Sequence, residues 1–205
     1  MSTPYEAGGR VAQKRRTRDA LIHAARELVA RGVTPGVEVA AAAASVSRTT
    51  AYRYFPSQRA LLVAAHPETG ARSLLPADPP EEVEARLAAV VKQFARLILN
   101  TESQQRTMLR LSLESSDAAS RTALPLRQGR AIAWISEALA PLREQLTEPE
   151  LHRLVLAIRS AIGIEALVWL TDVAGLSRED AAELMAWSAQ ALLHSALTSP
   201  PPSVG

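Results

Sequence analysis

Residues 37–57 constrain the fold of this chain more than any other segment. An alanine-rich stretch at 37–44 is followed by the turn Ser45-Val46 and then by a short polar helix that Ser47 is placed to cap. Two helices can pack closely across so short a turn only when small side chains face each other. The residues that supply this small, apolar contact are Ala41, Ala44, Ala51 and Val46. The segment therefore predicts a helix-turn-helix.

The rest of the chain is also predicted to be helical, because apolar residues recur at helical spacing and no stretch alternates as a strand does. Gly32 is a stop for the first helix, Pro56-Ser57 starts the fourth, and residues 177–180 resemble a capping box. The predicted helices cover 17–31, 37–44, 47–54, a short stretch from 57, 78–100, 103–114, one or two stretches within 118–146, 147–174 and 177–197. The prediction is an all-α fold of about nine helices.

Charge is distributed unevenly along the chain. Residues 1–65 carry ten Lys and Arg against four Asp and Glu, whereas residues 66–205 carry 13 basic against 17 acidic side chains. The net charge of the whole chain is only +2, so the uneven distribution of charge says more about a partner than the total does. A basic N-terminal part on an acidic body indicates a polyanionic partner for the N-terminal part alone.

The polar helix after the turn has the side chains of a helix that lies in the major groove of DNA. Arginine donates paired hydrogen bonds to guanine or phosphate, and threonine hydroxyls bond phosphate or contact a thymine methyl group. The residues predicted to contact DNA are Ser47, Arg48, Thr49, Thr50, Tyr52, Arg53, Tyr54 and Gln58, with Arg15 and Arg16 attracting phosphates from the N-terminal segment. Phe55 is expected in the core. Alternatively, the residues of the polar helix form an ordinary solvated face, and the N-terminal arginines belong to a basic tail.

Several classes of function have no support in the sequence. The absence of cysteine excludes disulfides and thiolate metal sites, and it agrees with a cytoplasmic location. No apolar run approaches the roughly 20 residues of a membrane span, and the N-terminus has no apolar signal region. The four histidines lie far apart, and no Ser-His-Asp or phosphate-loop pattern occurs. We therefore expect no metal, no cofactor, no membrane partner and no enzymatic activity.

Residues 17–65 resemble the DNA-binding domain of the TetR family of bacterial repressors. The family pattern has a first helix ending in glycine, a second helix of the type T-V-x-x-I-A-x-x-A, the turn G-V-S, a recognition helix of the type x-x-T-x-Y-x-x-F, and x-S-K at the start of the fourth helix. The matching positions here are Gly32, 36–44, Ser45-Val46-Ser47, 48–55 and 56–58. The resemblance covers about a quarter of the chain, and register, spacing, N-terminal position and total length agree together.

Four positions depart from the family pattern. Gly36 replaces a Thr or Ser hydroxyl that typically reaches phosphate, and Arg53 stands where an aromatic residue is frequent. Gln58 replaces a lysine, with Arg59 as a possible substitute. Ser45 replaces the turn glycine, so it must either adopt a left-handed conformation at some cost or form a different turn.

The resemblance implies a homodimer that pairs through its last two helices and a helical body that binds a small molecule. The residues predicted at the dimer interface are Ile158, Ile162, Leu184, Trp187, Ala191 and His194; the alternative is that they are internal core. The residues predicted to line an effector pocket are Met108, Leu111, Trp134, Glu165 and Trp169, although such residues also form plain core. Glu165 is open to a second interpretation, as a structural group paired with an arginine. The apolar composition of this region favours a largely apolar effector.

The sequence thus predicts a disordered basic arm at 1–13, a helix-turn-helix DNA-binding domain at 14–57, a helical effector-binding and dimerisation domain at 58–198, and a disordered tail at 199–205. The predicted function is a homodimeric transcriptional repressor that binds a palindromic double-stranded DNA operator and is released by a small molecule. The competing hypothesis is a helical small-molecule-binding protein or enzyme without sequence-specific DNA binding. The effector, the operator and the sign of regulation stay open.

Overall fold

The computed structural model describes residues 4–66, 71–114 and 129–199. Nine helices occur in these ranges, and no strand occurs in them, so the predicted all-α class is confirmed. In chain order they are α1 (Pro4–Ala30), α2 (Val37–Ala43), α3 (Arg48–Tyr54), α4 (Gln58–Ala65), α5 (Val83–Asn100), α6 (Glu102–Glu114), α7 (Arg130–Ala138), α8 (in two segments, Glu148–Ala161 and Ile164–Val168) and α9 (Arg178–Thr198). A 3₁₀ turn (Ala140–Glu144) precedes α8, and a π turn (Trp169–Val173) follows it. The predicted tail beyond residue 199 lies outside the described residues, as do residues 118–128 of the stretch predicted to hold one or two helices within 118–146.

Four helices, α3, α4, α8 and α9, begin with a side-chain cap. Ser47, Ser57 and Ser177 each accept a hydrogen bond from the backbone N–H three residues later, at the starts of α3, α4 and α9. Thr147 and Glu150 form a capping box at the start of α8, in which the Glu150 carboxylate accepts from the Thr147 N–H at 2.8 Å. The Thr147 hydroxyl, followed by its N–H, lowers the pKa of Glu150 by stabilising the carboxylate.

The N-terminal segment differs from the prediction. Residues 4–13 were expected to form a disordered arm, but α1 begins at Pro4 and continues without a break to Ala30. Proline is tolerated at the first position of a helix because its missing N–H would have no partner there. Each further residue then adds one backbone hydrogen bond to a helix that is already started. The basic residues that follow therefore lie on a helix and not on an arm.

The segment predicted as one helix over 147–174 is broken. The first part of α8 ends at Ala161, and the chain passes through Gly163 with φ 131° and ψ −179° before helix resumes at Ile164. This backbone region is almost exclusive to glycine. Arg159 supports the break, because its Nη1 donates to the Ile162 carbonyl at 2.8 Å. The glycine in this apolar stretch ends a helical segment and changes the direction of the chain.

The described chain divides into two compact units. Residues 4–66 and 103–114 form the head unit, in which α2, α3 and α4 pack on α1. Its main core consists of Leu21, Ile22, Ala25, Val37, Ala40, Ala41, Ala51, Phe55, Leu61 and Ala65. The head unit extends past the predicted domain boundary at residue 57, because Met108 and Leu111 of α6 pack with Val29 and Leu62. Arg59 joins the same contact by donating to the Leu111 carbonyl at 3.1 Å.

Residues 71–102 and 129–199 form the body unit, built from α5, α7, α8 and α9. Phe94 and Trp134 meet edge to face in its core, with ring centroids 5.9 Å apart. Arg86 fastens α5 to the end of α7 by donating to the carbonyls of Ala138 and Glu137. Arg178 at the start of α9 forms an ion pair with Glu102, which follows α5 in the same unit.

The sequence from Glu148 to Val173 is long and apolar enough to cross a membrane by length and composition alone. It is the one such stretch among the described residues, whereas no membrane span was expected from the sequence. A buried core helix passes the same test, and 44% of the most apolar 18-residue window of this stretch is buried. The break at Gly163 and the Arg159–Glu165 ion pair also interrupt it.

Candidate nucleic-acid interface

The turn between α2 and α3 sets the angle at which α3 is presented. Ser45 has φ 55°, so it adopts the left-handed conformation that the sequence analysis gave as one alternative. The Val46 N–H bonds to the Ala41 carbonyl and the Ser45 N–H bonds to the Ala42 carbonyl, at 2.9 and 3.1 Å. This is a Schellman motif with serine in the position usually taken by glycine.

The helix-turn-helix packs as its small residues predict. Ala41 and Ala51 are buried, and Ala44 and Val46 pack against the same core. Phe55 is also buried, as expected, and the Arg18 guanidinium lies 5.6 Å from the centroid of its ring. These contacts fix one side of α3 and leave the opposite side in solvent.

The exposed side of α3 carries four of the predicted DNA-contacting residues, namely Arg48, Thr49, Tyr52 and Arg53. At about 100° per residue they span roughly 140° of the helix circumference. Together they offer two guanidinium groups, a phenol and a hydroxyl to a partner. This set can donate to phosphate oxygens and to the acceptor atoms of guanine in the major groove.

The other predicted contacts on α3 and α4 have partners in the head unit. Ser47 and Thr50 bond each other at the helix start, with the Ser47 hydroxyl donating to Thr50 Oγ1 at 2.9 Å. Tyr54 is half-buried and packs against the core. Gln58 donates to the carbonyls of Thr34 and Pro35 at 3.4 and 3.3 Å, and so holds the loop before α2. These residues position the exposed face as well as bordering it.

Glu38 is the residue at this surface that the sequence analysis did not single out. Its Oε1 lies 2.8 Å from Arg48 Nη2, and Tyr52 donates its hydroxyl to the same oxygen at 3.3 Å. The Arg48 guanidinium also lies 5.8 Å from the centroid of the Tyr52 ring. A carboxylate from the first helix of the motif thus holds two side chains of the second. In the sequence, Glu38 is recognisable only as an acid in the first turn of α2, which does not predict a contact with α3.

Arg15 and Arg16 lie on α1 and are exposed. Arg15 Nε is 3.8 Å from Asp19 Oδ2, and Arg16 donates to the Gln13 side chain at 2.9 Å. Exposed pairs of this kind are weak and are exchanged easily for another anion. Both arginines remain able to attract phosphate.

The residues predicted to line an effector pocket are divided between the two units. Met108 and Leu111 are core residues of the head unit, whereas Trp134, Glu165 and Trp169 belong to the body unit. Trp134 is buried and Trp169 is exposed. Glu165 accepts from Arg159 at 3.2 Å, which agrees with the structural interpretation of this carboxylate.

The body unit has an open groove of about 630 Å³ beside α5. Residues 73–76 line one side of it, and the polar face of α5 lines the other with Lys92, Gln93, Arg96 and Asn100. None of the five residues predicted for the effector pocket lines this groove. No sequence pattern predicts this groove, because residues 73–76 lie in a stretch without regular periodicity.

The predicted dimer residues fall into two groups. Ile158 and Ile162 are buried in their own body unit, which agrees with the alternative that they are internal core. The α8 stripe to which they belong faces inward. Leu184, Trp187 and His194 of α9 are exposed, and Ala191 is half-buried beside them.

The exposed stripe of α9 is largely apolar. Its inward side is buried through Ala181, Met185, Ala189, Leu193 and Ala196. On the outward side the exposed fraction is 40% for Leu184 and 67% for Trp187. The π turn before α9 exposes Trp169 and Val173 as well. Large apolar groups exposed close together are typical of contact surfaces on folded proteins.

No group of His, Cys, Asp or Glu side chains arranged to hold a metal ion occurs in the part of the chain that the structure describes. No protein-family model and no curated protein sequence matches this chain.

Proposed function

We propose that this protein is a DNA-binding transcriptional regulator that acts as a homodimer. The observation that supports it most strongly is the exposed face of α3. Arg48, Thr49, Tyr52 and Arg53 project from a short helix whose other side is fixed by a tight turn and a core of small residues. A helix held in this way can enter a major groove with its side chains already ordered.

The charge of the N-terminal part supports the same proposal. Residues 1–65 have an excess of six positive charges, and α1 carries Arg15 and Arg16 on its surface. Such a charge attracts the phosphate backbone regardless of sequence and makes the affinity fall with salt. The side chains of α3 would then supply selectivity through the base edges.

The outward stripe of α9 is the candidate for pairing two copies. Trp187 and Leu184 are large apolar side chains that a second stripe of the same kind would cover. A two-fold pairing presents two recognition helices, which fit half-sites about one helical turn, roughly 34–36 Å, apart. The resemblance to TetR-family repressors supports this arrangement.

The same resemblance supports repression that a small molecule relieves. A ligand in the helical body would favour a spacing of the recognition helices that no longer fits successive grooves, and a shift of a few ångströms suffices. The competing function is a small-molecule-binding protein without sequence-specific DNA binding. The groove beside α5, with Lys92 and Arg96 at its edge, is the observation that favours it.

Selection from a random pool of DNA duplexes tests the proposal. The full-length protein should enrich an inverted repeat whose half-sites lie about one helical turn apart. Arg48→Ala should lose this enrichment while it still retains duplex at low salt, because α1 keeps its charge. Recovery of no common sequence by the wild-type protein would contradict the proposed function and favour the competing one.

A further inference from the structure

We propose that Glu38 is a specificity-determining residue of this surface, which acts by positioning Arg48. The inference rests on the proposed function, and it concerns how α3 distinguishes bases from phosphates. Glu38 lies on α2 and Arg48 on α3, yet the carboxylate and the guanidinium are 2.8 Å apart across the turn. The only acid on either of these two helices is therefore bonded to a predicted base-contacting residue.

The geometry restricts the guanidinium in two ways. The contact to Glu38 uses Arg48 Nη2, so the remaining nitrogens of the planar group are the ones that point to other acceptors. The Tyr52 ring lies 5.8 Å from the guanidinium carbon, and the Tyr52 hydroxyl donates to the same Glu38 oxygen at 3.3 Å. Glu38 thus fixes the direction of both side chains with a single atom.

The negative charge of Glu38 also favours contacts of Arg48 with bases over contacts with phosphates. An arginine with no partner is attracted to any phosphate, and this attraction is equal for all sequences. A carboxylate beside it cancels that attraction locally and repels the backbone. The hydrogen bonds of the guanidinium to a guanine edge depend on direction, and a fixed orientation favours them. Glu38 should therefore lower binding to unrelated DNA more than binding to the correct site.

The ion pair is exposed, with 71% of the Arg48 side chain and 50% of the Glu38 side chain accessible. Exposed pairs contribute little to the stability of a fold. A variant at Glu38 should consequently fold as the wild type does, and a change in DNA binding can be assigned to the surface itself. When DNA binds and displaces water from this surface, the lower local dielectric would strengthen the attraction between Arg48 and Glu38.

The test compares Glu38→Gln with wild type on two duplexes, the one selected by the wild-type protein and a scrambled version of it. With Glu38→Gln, affinity for the scrambled duplex should rise severalfold at low salt. The slope of log affinity against log salt for that duplex should steepen by about 0.9, the value for one more neutralised phosphate. The ratio of selected to scrambled affinity should fall about tenfold, in the range of one well-oriented base contact.

Two controls separate positioning from charge. Glu27→Gln removes the same charge from an exposed position of α1 in the same head unit, and it should change both affinities together and leave their ratio unchanged. In an Arg48→Ala background, Glu38→Gln should no longer alter the ratio, because Glu38 acts through Arg48. A ratio that stays at the wild-type value in Glu38→Gln would overturn the inference. So would an equal fall in Glu27→Gln, or a fall that persists without Arg48.

The wild-type ratio separates failure of this inference from failure of the proposed function. If wild type binds both duplexes equally, the proposed function fails and the role of Glu38 fails with it. If wild type is selective and Glu38→Gln is equally selective, the regulator stands and only the inference about Glu38 is overturned.

Discussion

The outer surface of α3 in the head unit and the outer surface of α9 in the body unit are both exposed, but they differ in chemistry. The first presents arginine, threonine and tyrosine, and its charges are paired with Glu38 or open to solvent. The second presents tryptophan and leucine, with Trp187 67% exposed. A surface of hydrogen-bond donors suits a polyanion, whereas an apolar stripe suits another apolar surface. The two surfaces therefore differ in the kind of partner that each would suit.

The two units also differ in the residue types found at backbone positions with positive φ. In the described body unit these positions are occupied by Gly129, Gly163 and Gly175, which accept such angles without a steric penalty. In the head unit Gly32 occupies one, but Ser45 occupies the other. The strained residue lies in the turn that orients α3. Its hydroxyl-bearing side chain is the departure from the glycine that the family resemblance would place there.

The largest expected effect concerns the apolar surface. Trp187→Glu should weaken self-association by about 2–4 kcal/mol, because a charge would replace a large apolar anchor. Sedimentation velocity should show a dimer for wild type and a monomer for this variant at the same concentration. Leu113→Glu is the matched control, since Leu113 is 74% exposed on α6 of the head unit. If both variants stay dimeric, α9 is not the pairing surface.

The next effect tests the glycine in α8. Gly163→Ala should destabilise the body unit by about 2–3 kcal/mol, because alanine strongly disfavours φ 131° and its Cβ would collide with the Arg159 guanidinium. All three tryptophans, Trp134, Trp169 and Trp187, lie in the body unit, so tryptophan fluorescence in a urea titration reports this unit. An unchanged midpoint would mean that the chain straightens through this point as one helix.

A smaller effect distinguishes charge from geometry on α3. Arg48→Lys keeps the positive charge but loses the planar, paired donors. Affinity for the selected duplex should fall by about 1.4 kcal/mol, or tenfold, while affinity for scrambled duplex stays near wild type. Lys14→Ala, which removes a charge from α1, should lower both affinities together. Equal losses on both duplexes in Arg48→Lys would assign Arg48 to phosphate contact.

The smallest effect compares Ser45 and Gly32, the two residues with positive φ among the described residues of the head unit. Ser45→Gly should stabilise this unit by about 1 kcal/mol by relieving the left-handed serine, and Gly32→Ser should destabilise it by a similar amount. No atom lies within 4 Å of a Cβ built at Gly32, so that change tests the backbone angle alone. Circular dichroism during urea unfolding measures both. A destabilised Ser45→Gly would show that the serine side chain stabilises the turn.

Local features of the fold could be predicted from the sequence, and features that depend on distant contacts could not. The serine caps, the small residues of the helix-turn-helix and the buried Phe55 follow from patterns a few residues long. The Glu38–Arg48 pair joins two helices, and only the angle of the turn brings its members together. Gly163 lies in an apolar stretch that continues the helical spacing on both sides, so the sequence pattern does not predict its backbone angle.

Long-range packing explains the remaining differences. Met108 and Leu111 are large apolar residues of the kind that line pockets, but they complete the core of the head unit with Val29 and Leu62. Ile158 and Ile162 have the spacing of an interface, but that side of α8 faces its own body unit. Periodicity gives the apolar side of a helix and does not specify which neighbour covers it. The exposed α9 stripe could be predicted because the buried side of that helix is occupied by a separate set of residues.

The central claim is that this protein reads a DNA sequence through α3. The most direct measurement is a salt titration of wild-type binding to the selected duplex beside its scrambled version. The account predicts that both affinities fall with salt and that the selected duplex is bound about 10³-fold more tightly, or better, at physiological salt. A ratio near one at every salt concentration would contradict it, and the basic head would then be a surface that attracts DNA without reading it.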